Sequence, residues 1–199
     1  ASFRRAFASA PGLAFGPGHP PDELRRLERR WWRALVEETF AGLGEFTNFD
    51  AYFDALFAFF GDPANWKLLP ETIETLGRLK ERGLELAVLS NFDYRIYGVL
   101  DGLGLTPYFD SIAISSEAGY AKPSAQLFKA ALNRYGLAAQ EAMHVGDSEA
   151  LDFEGAAAAG LAAVLVDARC RPAVAICGRR ARIASLAYVI EVAQRLRIA

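Results

Sequence analysis

The spacing of apolar residues changes character once along this chain, between Asn65 and Pro70. Upstream, residues 1–66 read as helical throughout. Leu24, Leu27, Trp31 and Leu35 recur at helical intervals behind Asp22, which is placed to cap their helix. Phe49, Tyr52, Phe53, Leu56, Phe57 and Phe60 form a second, wide aromatic stripe, of a kind that packs a core more often than it binds a ligand. Gly61-Asp62-Pro63 closes the region as a loop.

Downstream, short apolar runs alternate with helical stripes. Pro70 marks a helix start, Ile73, Leu76 and Leu79 its buried face, and Gly83 its end. Leu84 to Leu89 predicts a buried strand ending at Ser90-Asn91, with a helix from Tyr94 to Leu103 after it. Ile112-Ala113-Ile114 predicts the next strand. Ser124 then opens a helix buried through Leu127, Phe128, Ala131, Leu132 and Tyr135. A strand at Ala142–Val145 breaks at Gly146, where the chain is expected to turn sharply, and a helix follows Asp152. Ala162–Val166 is a further strand, and Leu186, Val189, Ile190, Ala193 and Leu196 mark a closing helix. This alternation predicts an α/β fold: a parallel sheet joined by right-handed crossovers and covered on both faces. No repeat or low-complexity tract interrupts it.

Composition narrows the partners. Apolar residues make up 52% of the 199 and charged residues 23%, which suits a soluble chain with a substantial core. A formal charge of −2 gives no general attraction to nucleic acid or to a membrane surface. Five arginines, Arg25, Arg26, Arg29, Arg30 and Arg33, crowd one helix; a solvated face outweighs anion steering as their reading. The first 18 residues hold Arg4 and Arg5 and no acid, a faint transit-peptide pattern that is better read as a helix of the mature protein. Cys170 and Cys177 stand apart, without a CxxC, and are expected as free thiols in a cytoplasmic protein, a disulfide being the lesser alternative.

Candidate chemistry gathers where strands end, the place where open α/β sheets bind ligands. Ser90-Asn91 offers a hydroxyl and backbone N–H groups to a phosphate oxygen. Lys122, leading into the helix opened by Ser124, brings a compact positive charge. Asp147 and Asp152 could hold a hard divalent cation, or could simply be helix-start acids. Each signal alone is weak; in order, on three successive strand ends, they are not easily reached by chance. His144, on its strand, reads as a satisfied core histidine before a catalytic base, His19 carries no signal, and Trp31 and Trp32 read as packing. Trp31, Trp32 or Arg30 facing a cleft is the sharper alternative.

Leu89-Ser90-Asn91, Ser115-Ser116-Glu117-Ala118-Gly119, Lys122-Pro123 and Gly146-Asp147 through Asp152 to Gly155-Ala156 together resemble the haloacid dehalogenase-like (HAD) hydrolase superfamily. Ser90-Asn91-Phe92-Asp93 and the Trp31-Trp32 pair look most like its hydrolase domain-containing protein 3 branch. The resemblance implies a Rossmann-like three-layer core over residues 67–199 and a helical, C1-type cap over 1–66. It implies Mg²⁺ and hydrolysis of a small phosphorylated molecule through an aspartyl-phosphate; a cytoplasmic monomer or homodimer is the separate expectation. Carried over, Ser90 and Asn91 bind the phosphoryl group, Lys122 stabilises its charge and Asp147 binds Mg²⁺. Asp152 holds the metal's water shell or orients Lys122.

One motif of that family, Asp-x-Asp-x-Thr after the first strand, is missing; its first aspartate is the nucleophile. Asp50 and Asp54 fall inside a helical stripe instead. The expectation is therefore an absent first core strand, belonging between the strands that end at Ser90 and Gly146, on an N-terminal segment not included in these residues. Two other functions stay open: a metal-independent 2-haloacid dehalogenase, and a non-catalytic binding or regulatory protein on the same scaffold.

Overall fold

The computed structural model describes residues 2–16, 18–42 and 47–198; residues 1, 17 and 43–46 of the stretch expected to be helical lie outside them. Three α-helices open the chain: α1 (Ser2–Ser9), α2 (Pro21–Phe40) and α3 (Phe49–Phe59). Val36, Phe53 and Phe57 pack together between α2 and α3, with Trp32, Leu56 and Tyr94 around them. The aromatic stripe is thus core in part, whereas Tyr52 and Phe60 at its edges stand exposed. Asp22 does not cap α2. Pro20 holds the cap position and Pro21 begins the helix, because proline's fixed φ suits a first turn that needs no N–H.

The remainder runs α4 (Thr72–Glu81), β1 (Ala87–Ser90), α5 (Arg95–Gly102), β2 (Ser111–Ile114), α6 (Ser115–Ala118), α7 (Ala125–Tyr135) and β3 (Met143–Gly146). After a π-helical turn at Glu149–Glu154 come α8 (Gly155–Ala158), β4 (Ala162–Val166), β5 (Val174–Cys177), β6 (Arg180–Ile183) and α9 (Val189–Arg195). This is the expected α/β fold. Strand β4 shows why its sequence is a continuous apolar run. Ala162 and Val164 face Leu79, Val189 and Val192 of α4 and α9, while Ala163 and Leu165 face Phe128 of α7 and Phe153 and Ala156 on the other side.

Three expectations are corrected. The buried α4 face is Thr75 and Leu79 with Leu76 half-buried, and Ile73 points off that face and is exposed; the helix begins at Thr72, after a left-handed Glu71 (φ 61°). The sheet is not wholly parallel: β5 runs antiparallel to β6 at the edge. Gly178, at positive φ, opens a two-residue turn that returns the chain sharply. Finally, β1 and β3 are only half-buried, and β1 starts at Ala87 rather than Leu84.

That last difference follows from pairing. β1 pairs with β2 alone, and β3 with β4 alone, giving two separate sheets, β1-β2 and β3-β4-β6-β5. Among the described residues no strand lies between β1 and β3, so each keeps one edge without ladder hydrogen bonds. Unpaired backbone groups left in a dry interior would cost about 1–3 kcal/mol each, and partial exposure relieves that. In this 199-residue chain, amide hydrogen exchange should therefore protect β4 well above both β1 and β3; equal protection of all three would contradict an open slot.

Candidate active site

Lys122 is the centre of the site. Its ammonium donates to the carbonyl oxygen of Leu89 on β1 (2.8 Å) and to Asp152 Oδ1 on the π-helical turn after β3 (2.7 Å). Its backbone is held as firmly. The Lys122 N–H donates to Asn91 Oδ1 (2.7 Å), and Asn91 Nδ2 donates to the Lys122 carbonyl (2.9 Å). The side chain of Asn91 is thereby engaged, and it is the backbone N–H groups and the Ser90 hydroxyl that remain at the end of β1 for a ligand oxygen. The peptide bond from Lys122 to Pro123 is cis.

Asp152 is gripped from three directions. Besides Lys122, His144 Nε2 lies 3.0 Å from Oδ1, and the Ser148 N–H donates to Oδ2 (3.0 Å). Burial by itself would raise the Asp152 pKa. The hydrogen bonds from His144 and Lys122, the charge of Lys122 and the Ser148 N–H overcome it and hold the carboxyl well below the usual carboxylate range. His144 is a satisfied histidine, packed edge-on against Phe128, yet it touches the site's central acid. Asp147, one residue beyond β3, is exposed.

The motif glycines now have physical reasons. Gly146 is not at positive φ, so the expected sharp turn is not why it is needed. A Cβ there would lie 2.3 Å from Asp152 Cγ; only glycine leaves room for the carboxyl to fold back over the strand end. At Gly155 a Cβ would come within 3.0 Å of Pro123, so glycine lets α8 press against the Lys122-Pro123 loop.

The turn carrying Asp152 is fastened from outside as well. Arg182 and Arg180, on β6, form ion pairs with Glu149 and Glu154 respectively, and both guanidinium groups lie over the Phe153 ring. A second buried centre joins the helices to the loop after Asn91. Asp93, wholly buried, accepts from Arg95 and from Trp32 Nε1 of α2, while Arg95 donates to the Phe57 carbonyl of α3 (2.6 Å). Trp32 is therefore packing and anchoring at once, and Trp31 bonds the Pro11 carbonyl (2.8 Å). Three of the α2 arginines lie over aromatic rings: Arg25 covers Tyr94, Arg29 covers Phe53 and Phe57, and Arg33 covers Phe49. Sequence reading missed the Asp93–Arg95 centre, although the adjacent Phe92-Asp93-Tyr94-Arg95 was a signal.

As a magnesium site the set is incomplete. No cluster of three or more potential ligands occurs among the described residues, and both Asp152 oxygens are already engaged. Asp147 alone offers a free carboxylate, whereas Mg²⁺ binds octahedrally through one or two carboxylates, waters and substrate oxygens. Cys170 and Cys177 are free thiols, and no helix is long and apolar enough to cross a membrane among the described residues.

Because the Asp152 pKa is depressed by folding, its contribution to stability is full above the unfolded-state value near pH 4 and is lost as pH falls through the folded one. Asp152→Asn should thus destabilise the fold at neutral pH by about 3 kcal/mol, leaving Lys122 buried without a counter-charge. The gap between variant and wild type should narrow from about pH 5 toward pH 2 in denaturant unfolding; a gap independent of pH would contradict this.

Comparison with known proteins gives this geometry a family. A family model for haloacid dehalogenase-like hydrolases matches residues 3–160. Haloacid dehalogenase-like hydrolase domain-containing protein 3 of Homo sapiens is 38% identical over 140 residues, which are 69% of this chain and 56% of that one. The phosphoserine phosphatase of Thermus thermophilus is 40% identical over 122 residues, 58% of this chain and 47% of that one. A HAD phosphatase from Thermococcus onnurineus matches in structure with a TM-score of 0.63 at 24% identity, over 86% of this chain and 76% of the other, which speaks for the fold alone. The chain spans about half the length of the curated relatives it matches. Model match and identity together establish that the chain belongs to the haloacid dehalogenase-like hydrolase family.

Proposed function

We propose that the complete protein is a Mg²⁺-dependent phosphatase of small phosphorylated metabolites. One observation carries the reading: Lys122, Asp152 and Asn91 interlock at the carboxyl ends of β1 and β3, beside Ser90 and Asp147, on both sides of an open slot. An added parallel strand in that slot would complete the sheet and bring its own carboxyl end to the same rim. An aspartate there would face Lys122 and supply the attacking carboxylate.

In this reading Ser90 and the N–H groups at the end of β1 bind phosphoryl oxygens. Lys122 offsets charge that develops on the phosphoryl group, and it is pre-oriented, so little reorganisation accompanies reaction. Asp152 and Asn91 hold Lys122 in place. Asp147, with a carboxylate from the added strand, would hold Mg²⁺, which supplies further charge neutralisation. Residues 1–66 act as a cap over 67–199, excluding water, with the Asp93–Arg95 centre as their anchor. The likeness to a phosphoserine phosphatase supports a phosphate ester over a haloacid as substrate.

Hydrolysis of an aryl phosphate by the complete protein should require Mg²⁺, and Asp147→Asn should lower it at least about a hundredfold. The 199 residues alone should be inactive. Metal-independent turnover would overturn the phosphatase reading, and halide release from a 2-haloacid without phosphate release would replace it with the dehalogenase.

A further inference from the structure

A cavity of about 490 Å³ lies between α2 and the segments that follow β1 and β2. Leu24, Arg25 and Glu28 of α2 form one side, with the loop before α2, where His19 is engaged by the Phe15 carbonyl and Glu23; Tyr94, Tyr97 and Glu117 form the other. It is of a size that holds a small ligand. Lys122, Asn91 and Asp152 do not line it, yet Tyr94 and Glu117, which do, follow the carboxyl ends of β1 and β2.

Glu28 is the unexplained group. It is wholly shielded from solvent, and neither carboxyl oxygen has a hydrogen-bond partner. Burial pushes its pKa up, and the charges of Asp93 and Glu117 add to that. Ser116 and the Tyr94 backbone approach closely enough to favour the charged form without closing a hydrogen bond of normal geometry. The hydroxyls of Ser115 and Ser116, directly before Glu117, are also buried without partners. Buried polar groups are nearly always satisfied, so the orphaned carboxyl of Glu28, which lines the cavity, points to a donor that the described residues do not supply.

The walls indicate the donor's charge. Glu117 stands exposed at the surface, accepts from the Tyr97 hydroxyl on Oε2 (2.8 Å), and has its other oxygen free; Glu28 lies deeper. The tyrosine rings offer π faces, which attract cations. Arg25 stacks 5.1 Å from the Tyr94 ring centre and pairs with no acid among the described residues, so the two carboxyls keep their demand for positive charge. Its presence at the rim favours a single ammonium over a polyamine.

We propose that this cavity holds the organic part of the substrate, and that this part bears a primary ammonium received by Glu117 and Glu28. The role as substrate pocket rests on the hydrolase reading above; the ammonium site itself does not.

The probe is ethanolamine, with ethylene glycol as its uncharged counterpart, titrated into isotope-labelled complete protein and followed by amide chemical shifts. Ethanolamine should shift Tyr97 and Glu117 saturably, ethylene glycol should not, and Glu28→Gln should weaken ethanolamine binding at least about tenfold. Glu117→Gln gives the same test if the buried substitution prevents folding. Absence of saturable shifts, or equal response to both probes, overturns the proposal. Aryl-phosphate turnover by the wild type separates the two readings: binding without turnover keeps the ammonium site and removes the hydrolase, and turnover without binding removes the ammonium site alone.

Discussion

The ammonium of Lys122 is the tie on which this architecture depends. β1 and β3 belong to different sheets and share no backbone ladder, yet one side chain reaches both, through the Leu89 carbonyl and the Asp152 carboxylate. Hydrogen bonds to charged groups contribute about 1.5–3 kcal/mol each, and little water competes where the two side chains are 11% and 6% exposed. Everything nearby serves that contact. Asn91 fixes the lysine backbone, Gly146 clears space for the carboxylate, Gly155 admits the Pro123 loop, and two β6 arginines clamp the turn from outside.

The same economy operates between the helices and the sheet. Asp93 follows Ser90-Asn91 by only two residues, and its carboxylate receives both Trp32 and Arg95. Arg95 in turn reaches the α3 backbone and lies against Phe57, 3.6 Å from the ring centre. A buried pair of this kind adds little net stability over an apolar replacement, but losing one partner leaves a stranded charge. Its effect is positional: the loop that ends β1 cannot shift without disturbing α2 and α3.

Much of this could be read from residue order. The strand β4, buried on both faces, and the helix α7, with Ser124 accepting at its cap, follow directly from apolar spacing and capping chemistry. Lys122 and Asp152 were identifiable because they sit at strand ends in the right order. What stayed hidden depended on contacts distant in sequence. Gly146 looked like a turn residue, and only its nearness to Asp152 explains it. The half-burial of β1 and β3 depends on which strands are neighbours, which local apolar character cannot report. The β5–β6 hairpin escaped notice although Gly178-Arg179 was a visible turn signal, because its strands are short and its outer positions carry arginine and cysteine.

The open slot has a consequence for behaviour in solution. The β1 edge away from β2 and the β3 edge away from β4 carry no ladder partner among the described residues, and such edges are a template for any extended peptide of suitable register. While that space stays unfilled, the most abundant candidate in a concentrated sample is a strand from another copy. Such head-to-tail exchange has no reason to close on itself and would propagate as oligomers. An insertion that completes the sheet would then do two jobs: it would finish the fold and suppress aggregation at the same edge.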